Sequence, residues 1–421
     1  MINLTTLPNG LRVVTKRLEN TQAATVLVLV RAGSRFEEKR INGISHFLEH
    51  MFFKGAKKYK TAREVSETID NIGGDFNAFT GKEYVGYYVK AAAAHLDTSI
   101  DVISDMLIHA TFDAAEIDKE RGVIMEEYNM YQDTPTYQIG WDFEQLVFGD
   151  QPMGWDQVGT KDVINGVTRD EFVAFKKSLY VPKNTVVSVS GNIQHDEVVK
   201  MVEKYFAEMD LADPTREHAL LQPLNTGKRV FLRERKTEQS HICIGFPQVS
   251  EVDKDFWVSK VLSVALGAGM SSRMFLSVRE EKGLAYYIGS SAEGFTDCGI
   301  FSTNAGVDLK RIDMAIEAVI GEYKLITNET ISEKELRKTK EFIKGKMILK
   351  LEDSEEYAHL LAKYQVLYGT TKEPDAISAA VDAVTADDVR RLAEDTFKLD
   401  KMYLAVIGPY DDPARFEKLM G

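Results

Sequence analysis

The sequence predicts an α+β protein with two homologous domains, each an antiparallel or mixed sheet with helices packed on it. Three observations support this fold class. The chain has 421 residues, more than one hydrophobic core usually organises. Short runs that alternate apolar and polar residues, which are typical of strands, are interspersed with stretches of helical periodicity. The pattern at the start of the chain also returns in its second half.

The predicted elements of the first half follow one another closely. The turn PNG near the start leads into a first strand, and TVLVLVRAG is a second. Thr61 and Glu64 form a capping box that begins a helix, which the pair GG ends. FNAFT and YVGYYVKA predict a hairpin that turns near Gly81. Two further helices are expected at about residues 95–110 and 114–132.

The second half repeats this plan. Gln22 stands ten residues after the arginine of GLRV, and Gln239 stands ten residues after the arginine of GKRV. Each segment runs into an apolar strand, TVLVLVRAG or HICIGFPQV, and then into a helix. We therefore place one domain at 1–210 and a second at 229–421. The polar stretch 211–228, with two prolines and no clear periodicity, is the expected linker.

The composition argues against several classes of protein. The net charge is -13, from 52 Lys and Arg against 65 Asp and Glu, which disfavours nucleic acid or an anionic membrane as partner and permits a basic peptide. No apolar run approaches the roughly 18 residues of a transmembrane helix. The start, MINLTTLPNGLRVV, lacks the apolar core of a signal peptide, and Cys243 and Cys298 suit a reducing compartment. We expect a bacterial cytoplasmic protein, or a mitochondrial matrix protein if a presequence is absent from this chain.

The stretch GISHFLEHMF carries the strongest chemical signal. His46 and His50 are four residues apart, so a helix places them about 40° apart on one face. Glu49 borders the same face. Zinc binds such a nitrogen pair together with a carboxylate and keeps a fourth position for water, and the order H-x-x-E-H is the inverted zinc-peptidase motif. The alternative is an ordinary helix with two partly buried histidines.

A third ligand is expected on the helix that contains ERGVIMEEYNMY. Ile117 and Ile124 define an apolar stripe at helical spacing. Glu120 and Glu127 fall on this stripe, whereas Glu126 points nearly the opposite way. Two glutamates that face inward are costly unless a cation meets them, and a metal ion with its histidines would do so. This makes Glu127 the third ligand and Glu120 a carboxylate that orients a histidine; a buried arginine pair is the alternative.

Four stretches of the chain together resemble the pitrilysin-type zinc peptidases, the family of the mitochondrial processing peptidases and insulin-degrading enzyme. These stretches are GISHFLEHMFFKG, GGDFNAFTGKE, ERGVIMEEYNMYQDTP and VREEKGLAYYIG, and they span both halves. LPNGLRV opens the chain as in that family. The two-domain length resembles the short bacterial and processing-peptidase branch rather than the four-domain insulin-degrading branch.

The resemblance implies a role for each matching residue of the first domain. His46, His50 and Glu127 would hold one zinc ion per chain, Glu49 would be the general base, and Glu120 matches the supporting glutamate of the family. The expected function is therefore a zinc-dependent endopeptidase.

The resemblance also implies residues that contact the substrate. Asn77 and Ala78 match the edge strand along which an extended peptide lies. In the second domain, Arg279 and Tyr286 match an Arg/Tyr pair that stabilises the oxyanion or anchors the peptide backbone. The alternatives are that Arg279 is a cation at a helix C-terminus and that Tyr286 is an ordinary strand aromatic.

The repeat indicates that the second domain has no zinc site of its own. The offset between the halves carries His46 onto Ser263 and His50 onto Gly267. We therefore expect a homodimer that closes a chamber around the peptide, with each site shared between chains. A monomer whose own two domains complete the site is the alternative. For the function itself, the alternatives are a catalytically silent assembly subunit and an accessory peptidase in cofactor biosynthesis.

Overall fold

The computed structural model describes residues 2–223 and 227–420. Its strands, in chain order, are β1 (Ile2–Thr6), β2 (Arg12–Arg17), β3 (Ala23–Val30), β4 (Asp75–Thr80), β5 (Val85–Ala92), β6 (Thr185–Gly191), β7 (Val230–Glu234), β8 (Ser240–Gln248), β9 (Ala285–Gly294), β10 (Gly299–Val307) and β11 (Tyr403–Gly408). Its α-helices are α1 (Ile44–Phe52), α2 (Ala62–Asp70), α3 (Leu96–His109), α4 (Ala114–Asp133), α5 (Pro135–Phe148), α6 (Lys161–Gly166), α7 (Arg169–Leu179), α8 (His195–Tyr205), α9 (Phe256–Gly267), α10 (Ile312–Asn328), α11 (Glu333–Leu351), α12 (Ser354–Tyr368), α13 (Pro374–Ala383), α14 (Ala386–Thr396) and α15 (Pro413–Met420). A π-helix covers Phe275–Glu281.

The described strands form two sheets with the same internal order. The first sheet runs β1-β2-β6-β3-β5-β4, and the second runs β7-β11-β8-β10-β9. Without β1, the two orders correspond strand by strand. In both sheets the first of these pairs, β2 with β6 or β7 with β11, is parallel, and the remaining pairs are antiparallel. The mixed sheets and their shared order confirm the predicted fold class and the internal repeat.

The described residues group into two compact units, each drawn from three segments of the chain. The first unit consists of Met1–Tyr128, Trp155–Ala219 and Ile348–Lys372. The second consists of Asn129–Gly154, Leu220–Met347 and Glu373–Gly421. Helix α12 therefore belongs with the first sheet and α5 with the second. The domains expected from the sequence, 1–210 and 229–421, are contiguous and would have placed each of these helices with the other sheet. The periodicity of apolar residues indicates which face of a helix is buried, but it does not indicate which sheet that face packs against.

Helix α12 covers one face of the first sheet. Ala358 and Leu361 are fully buried there against strand residues of β2, β3 and β6, which are Val14, Leu27, Leu29 and Val186. The hydroxyls of Thr25 and Ser354 are also 2.8 Å apart across this contact. Burial of large aliphatic side chains is the main favourable contribution to such packing, at about 1.5–3 kcal/mol for each.

Helix α5 has the same position on the second sheet. Ile139 and Phe143 pack against residues of β8 and β11, which are Cys243, Ala405 and Ile407. The alternate residues of β8, Ile242 and Ile244, instead join the core formed with α9 and α10. Cys243 and Cys298 are both buried.

Local sequence signals account for the elements around the histidines. The Thr61 hydroxyl accepts the amide N–H of Glu64 at 3.2 Å, as expected for a cap of α2. The Glu64 carboxylate accepts the N–H of Lys60 at 2.5 Å, so the reciprocal half of the predicted box is displaced by one residue. The β4–β5 hairpin pairs Thr80 with Val85 and turns at Gly81, as predicted.

The expected linker, 211–228, is described only in part, because residues 224–226 lie outside the described residues. Its other residues form neither helix nor strand. Among the residues that the structure describes, no helix is both long enough and apolar enough to cross a membrane.

Candidate metal centre

Helix α1 brings the two histidines together on one side. Its opposite face is buried and consists of Ile44, Phe47, Leu48, Met51 and Phe52. The rings of His46 and His50 have centroids 4.8 Å apart, as the spacing of one helical turn predicts. Burial of the apolar face therefore fixes the direction in which the imidazoles point.

The carboxylate of Glu127 on α4 meets both imidazoles. Its Oε2 lies 3.5 Å from His46 Nε2 and 3.4 Å from His50 Nε2. The three groups each offer one ligand atom, and these atoms all lie within 4.8 Å of one another. Two imidazole nitrogens and a carboxylate oxygen are a donor set that fits zinc and leaves a fourth position open. Glu126, the next residue toward the N-terminus, is exposed.

Glu120, also on α4, contacts the ring nitrogen of His50 that does not face Glu127. Its side chain is only 2% exposed. Oε1 is 2.9 Å from His50 Nδ1, and Oε2 is 2.6 Å from Lys54 Nζ. If Nδ1 carries the proton and donates a hydrogen bond to Glu120, then Nε2 keeps a lone pair on the side of Glu127. The structure thus places Glu120 where a carboxylate would orient a ligand histidine.

The electrostatics of this cluster favour a positive charge between the side chains. Burial lowers the pKa of His50, but hydrogen bonds with Glu120 and Glu127 outweigh burial and raise the pKa to about 9. Burial raises the pKa of Glu127, but hydrogen bonds with His46 and His50 hold it well below its ordinary value. The carboxylates therefore stabilise the imidazolium form of His50, and a bound divalent cation would satisfy the same demand.

Glu49 stands apart from the three convergent groups. The hydroxyl of Thr80, at the end of β4, donates a hydrogen bond to Glu49 Oε2. Burial raises the pKa of Glu49 above its ordinary value, and the Thr80 hydrogen bond and the two histidines oppose part of that rise. A buried carboxylate with a raised pKa is suited to act as a general base if a cation is bound beside it.

A cleft joins the candidate centre to the edge strand β4. The cleft has a volume of about 240 Å³ and is lined by Glu49, His50, Phe53, Lys54, Phe76, Asn77 and Glu120. The amide of Ala78 donates to the side-chain oxygen of Asn77 at 2.9 Å, so this amide is not used in the ladder with β5. Because β4 is the last strand of its sheet, an extended chain could pair with it beside the histidines.

The Arg/Tyr pair belongs to the second unit. Arg279 lies in the π-helix, with its guanidinium 4.6 Å from the centroid of the Phe275 ring and 4.0 Å from the carboxylate of Glu280. The Arg279 carbonyl accepts the amide of Gly283 at 3.1 Å. Tyr286 is the second residue of the edge strand β9 and is 74% exposed. Both side chains are accessible within their own unit.

Three residues around the centre were not singled out in the sequence. These are Thr80, Lys54 and Glu37. Glu37 accepts hydrogen bonds from the amides of Gly43 and Ser45 at the start of α1. The sequence did contain a signal for Glu37. Gly43, at the start of α1, has no side chain that could cap the helix, so a polar group from elsewhere has to bind the first amides. Thr80 and Lys54 had no such signal, since their roles depend on which elements meet in space.

Two models of known protein families match most of the chain. The model of the family described as Insulinase (Peptidase family M16) matches residues 12–144, and that described as Peptidase M16 inactive domain matches residues 166–343. An uncharacterized zinc protease of Streptomyces coelicolor is 36% identical over 416 residues, which covers 98% of this chain and 90% of the relative. An uncharacterized zinc protease of Bacillus subtilis is 36% identical over 410 residues and covers 97% of this chain and 98% of the relative.

Solved structures are similar over the same length. A protease from Helicobacter pylori has a TM-score of 0.89 at 25% identity and covers 97% of this chain and 99% of its own. A peptidase M16 inactive domain from Pseudomonas fluorescens has a TM-score of 0.89 at 15% identity, with 97% and 98% covered, and shares the fold. Family models in both halves, and relatives 36% identical across nearly the whole chain, show that this protein belongs to peptidase family M16.

Proposed function

We propose that this chain is a zinc-dependent endopeptidase, with one zinc ion per chain held by His46, His50 and Glu127. The observation that carries the proposal is the convergence of these three side chains while Glu49 remains outside the group. A catalytically silent subunit would have no reason to keep the full ligand set and a separate carboxylate beside it. The names of the relatives as zinc proteases support the same function.

The residues of the chain divide the chemistry between them. A bound zinc ion would polarise the scissile carbonyl and lower the pKa of water. Glu49 accepts a proton from the attacking water and passes it to the leaving amine nitrogen. Glu120 holds the Nδ1 side of His50, which fixes the direction of Nε2. The amide of Ala78 on β4, which donates to the side chain of Asn77 in the absence of substrate, would bind the backbone of an extended peptide instead.

The proposal includes a homodimer in which each site is shared between two chains. The family model that matches the second half is described as an inactive domain, which supports a second domain without its own zinc site. That domain still offers Arg279 and Tyr286, which would stabilise the oxyanion or anchor the peptide backbone. A bacterial cytoplasmic location is part of the proposal and rests on the bacterial relatives.

The first prediction concerns the metal ligands. Glu127→Gln should lower zinc affinity by at least about 100-fold, because an amide oxygen replaces the charged third ligand. Glu126→Gln is the matched control, since it makes the same change on an exposed neighbour. Zinc content after dialysis, measured by mass spectrometry, checks both variants. Equal zinc content in the two would contradict the ligand assignment.

The second prediction separates the base from the ligands. Glu49→Gln should keep its zinc and its circular dichroism spectrum but lose about 10²–10⁴-fold in kcat on a quenched peptide, because the proton acceptor is removed. Metal content and kcat are measured on the same preparation. A zinc-loaded variant that turns over at the normal rate would rule out Glu49 as the base.

The third prediction tests backbone pairing with β4. Ala78→Pro removes the outward amide and should raise KM or abolish cleavage while zinc content stays normal. Ala78→Ser keeps the amide and is the control. If both variants give the kinetics of the unaltered protein, substrates do not add to this strand.

The fourth prediction tests the shared site by mixing two variants, His50→Ala and Arg279→Ala, each inactive alone. In a shared-site heterodimer one intact zinc site would meet one intact Arg/Tyr pair, so activity should return toward one half per heterodimer. Subunit exchange is confirmed with two affinity tags. Exchange without recovered activity would indicate that each chain completes its own site.

A further inference from the structure

Helix α1 begins at a position that cannot carry its own cap. Gly43 is the residue before the helix and has φ 99°, a conformation that favours glycine. A Cβ at this position would lie 2.4 Å from the carbonyl oxygen of Val158. The usual capping residues, Ser, Thr, Asp and Asn, are therefore excluded here by both the backbone conformation and the available space.

Glu37 provides the missing cap from six residues upstream. Its Oε2 accepts the amide N–H of Gly43 at 2.7 Å, and its Oε1 accepts the amide N–H of Ser45 at 2.8 Å. The Asn42 side-chain amide donates to Oε2 at 3.0 Å and holds the carboxylate in place. Glu37 is only 4% exposed; burial raises the pKa of its carboxyl group, and these hydrogen bonds oppose part of that rise. The negative charge also stands at the positive end of the helix dipole.

His46 depends on this first turn more than His50 does. It is the third residue of α1, within the turn whose amides have no partner inside the helix. The Nδ1 atom of His46 is buried and has no hydrogen-bond partner among the protein groups that the structure describes. His50, by contrast, lies one turn further along and has its Nδ1 held by Glu120. The backbone of the first turn is therefore what sets the position of the His46 ring.

We propose that Glu37 is a positioning residue for the metal centre and acts through His46. The two histidines are then fixed by different carboxylates. Glu120 orients His50 through its ring, and Glu37 fixes His46 through the amides of Gly43 and Ser45. This inference rests on the proposed zinc site, but not on peptide cleavage.

The test measures metal affinity rather than turnover. Glu37→Gln places an amide where two backbone N–H groups need an acceptor, and it removes the charge. Zinc affinity, measured by competition with a chromophoric chelator, should fall about 10–100-fold, as for other residues that position a ligand. The absorption spectrum of the Co²⁺-loaded protein should also change in the variant. Glu38→Gln is the matched control, because the neighbouring Glu38 is exposed and pairs with Arg40 at 3.1 Å and Arg216 at 3.2 Å.

A double-mutant comparison distinguishes positioning of His46 from general support of the fold. In a His46→Ala background, Glu37→Gln should have little further effect on Co²⁺ affinity, because the group that it positions is absent. In a Glu120→Gln background, it should have its full effect. Equal losses in both backgrounds, or unchanged affinity in the single variant, would overturn the proposal.

A milder variant keeps the proposal testable if Glu37→Gln does not fold. Asn42→Ala removes one of the bonds to the Glu37 carboxylate and should lower zinc affinity in the same direction by a smaller factor. Near-ultraviolet circular dichroism checks the fold of each variant.

If the unaltered chain bound no metal, both this inference and the proposed function would be wrong. Metal binding without peptide cleavage would overturn only the peptidase, since the effect of Glu37 is read as affinity.

Discussion

The first unit is organised around the need to stabilise three carboxylates beside a helix of nine residues. Glu37 is stabilised by the amides at the start of α1, and Glu120 by Lys54 and His50. Glu127 is stabilised by the two histidines. An uncompensated charge at any of these positions would cost several kcal/mol, so each carboxylate constrains the groups around it. The placement of α1, and of the imidazoles that it carries, follows from these constraints together.

The repeated sheet shows how the same framework is used in two ways. In the first unit, α1 leaves a cleft beside the edge strand β4. At the corresponding point of the second unit stands Gly267, where a Cβ would lie 2.1 Å from the amide nitrogen of Ser290 on β9. Helix α9 therefore approaches its edge strand too closely to admit an imidazole. The space at this point of the second unit is closed, in addition to the difference in residue type between His50 and Gly267.

Much of the site was predictable because its signals are local. The spacing of His46 and His50, and the positions of Glu120 and Glu127 on an otherwise apolar stripe, depend only on helical geometry. The hydrogen bond from Thr80 to Glu49 was not predictable, since it requires β4 to lie beside α1. The assignment of α5 and α12 to sheets from the opposite half was not predictable for the same reason. Periodicity identifies the buried face of an element, whereas its partner is decided by the assembled fold.

The position of α12 has a consequence for how the protein is made. The hydroxyls of Thr25 and Ser354 meet at 2.8 Å although 329 positions separate them in the chain. As the ribosome synthesises the chain from its N-terminus, the strands of the first sheet emerge long before the helix that covers Leu27 and Leu29. One apolar face of that sheet therefore has no native partner until nearly the whole chain has been translated. Folding of the unit that carries the candidate metal centre is therefore completed only after most of the second half has been synthesised.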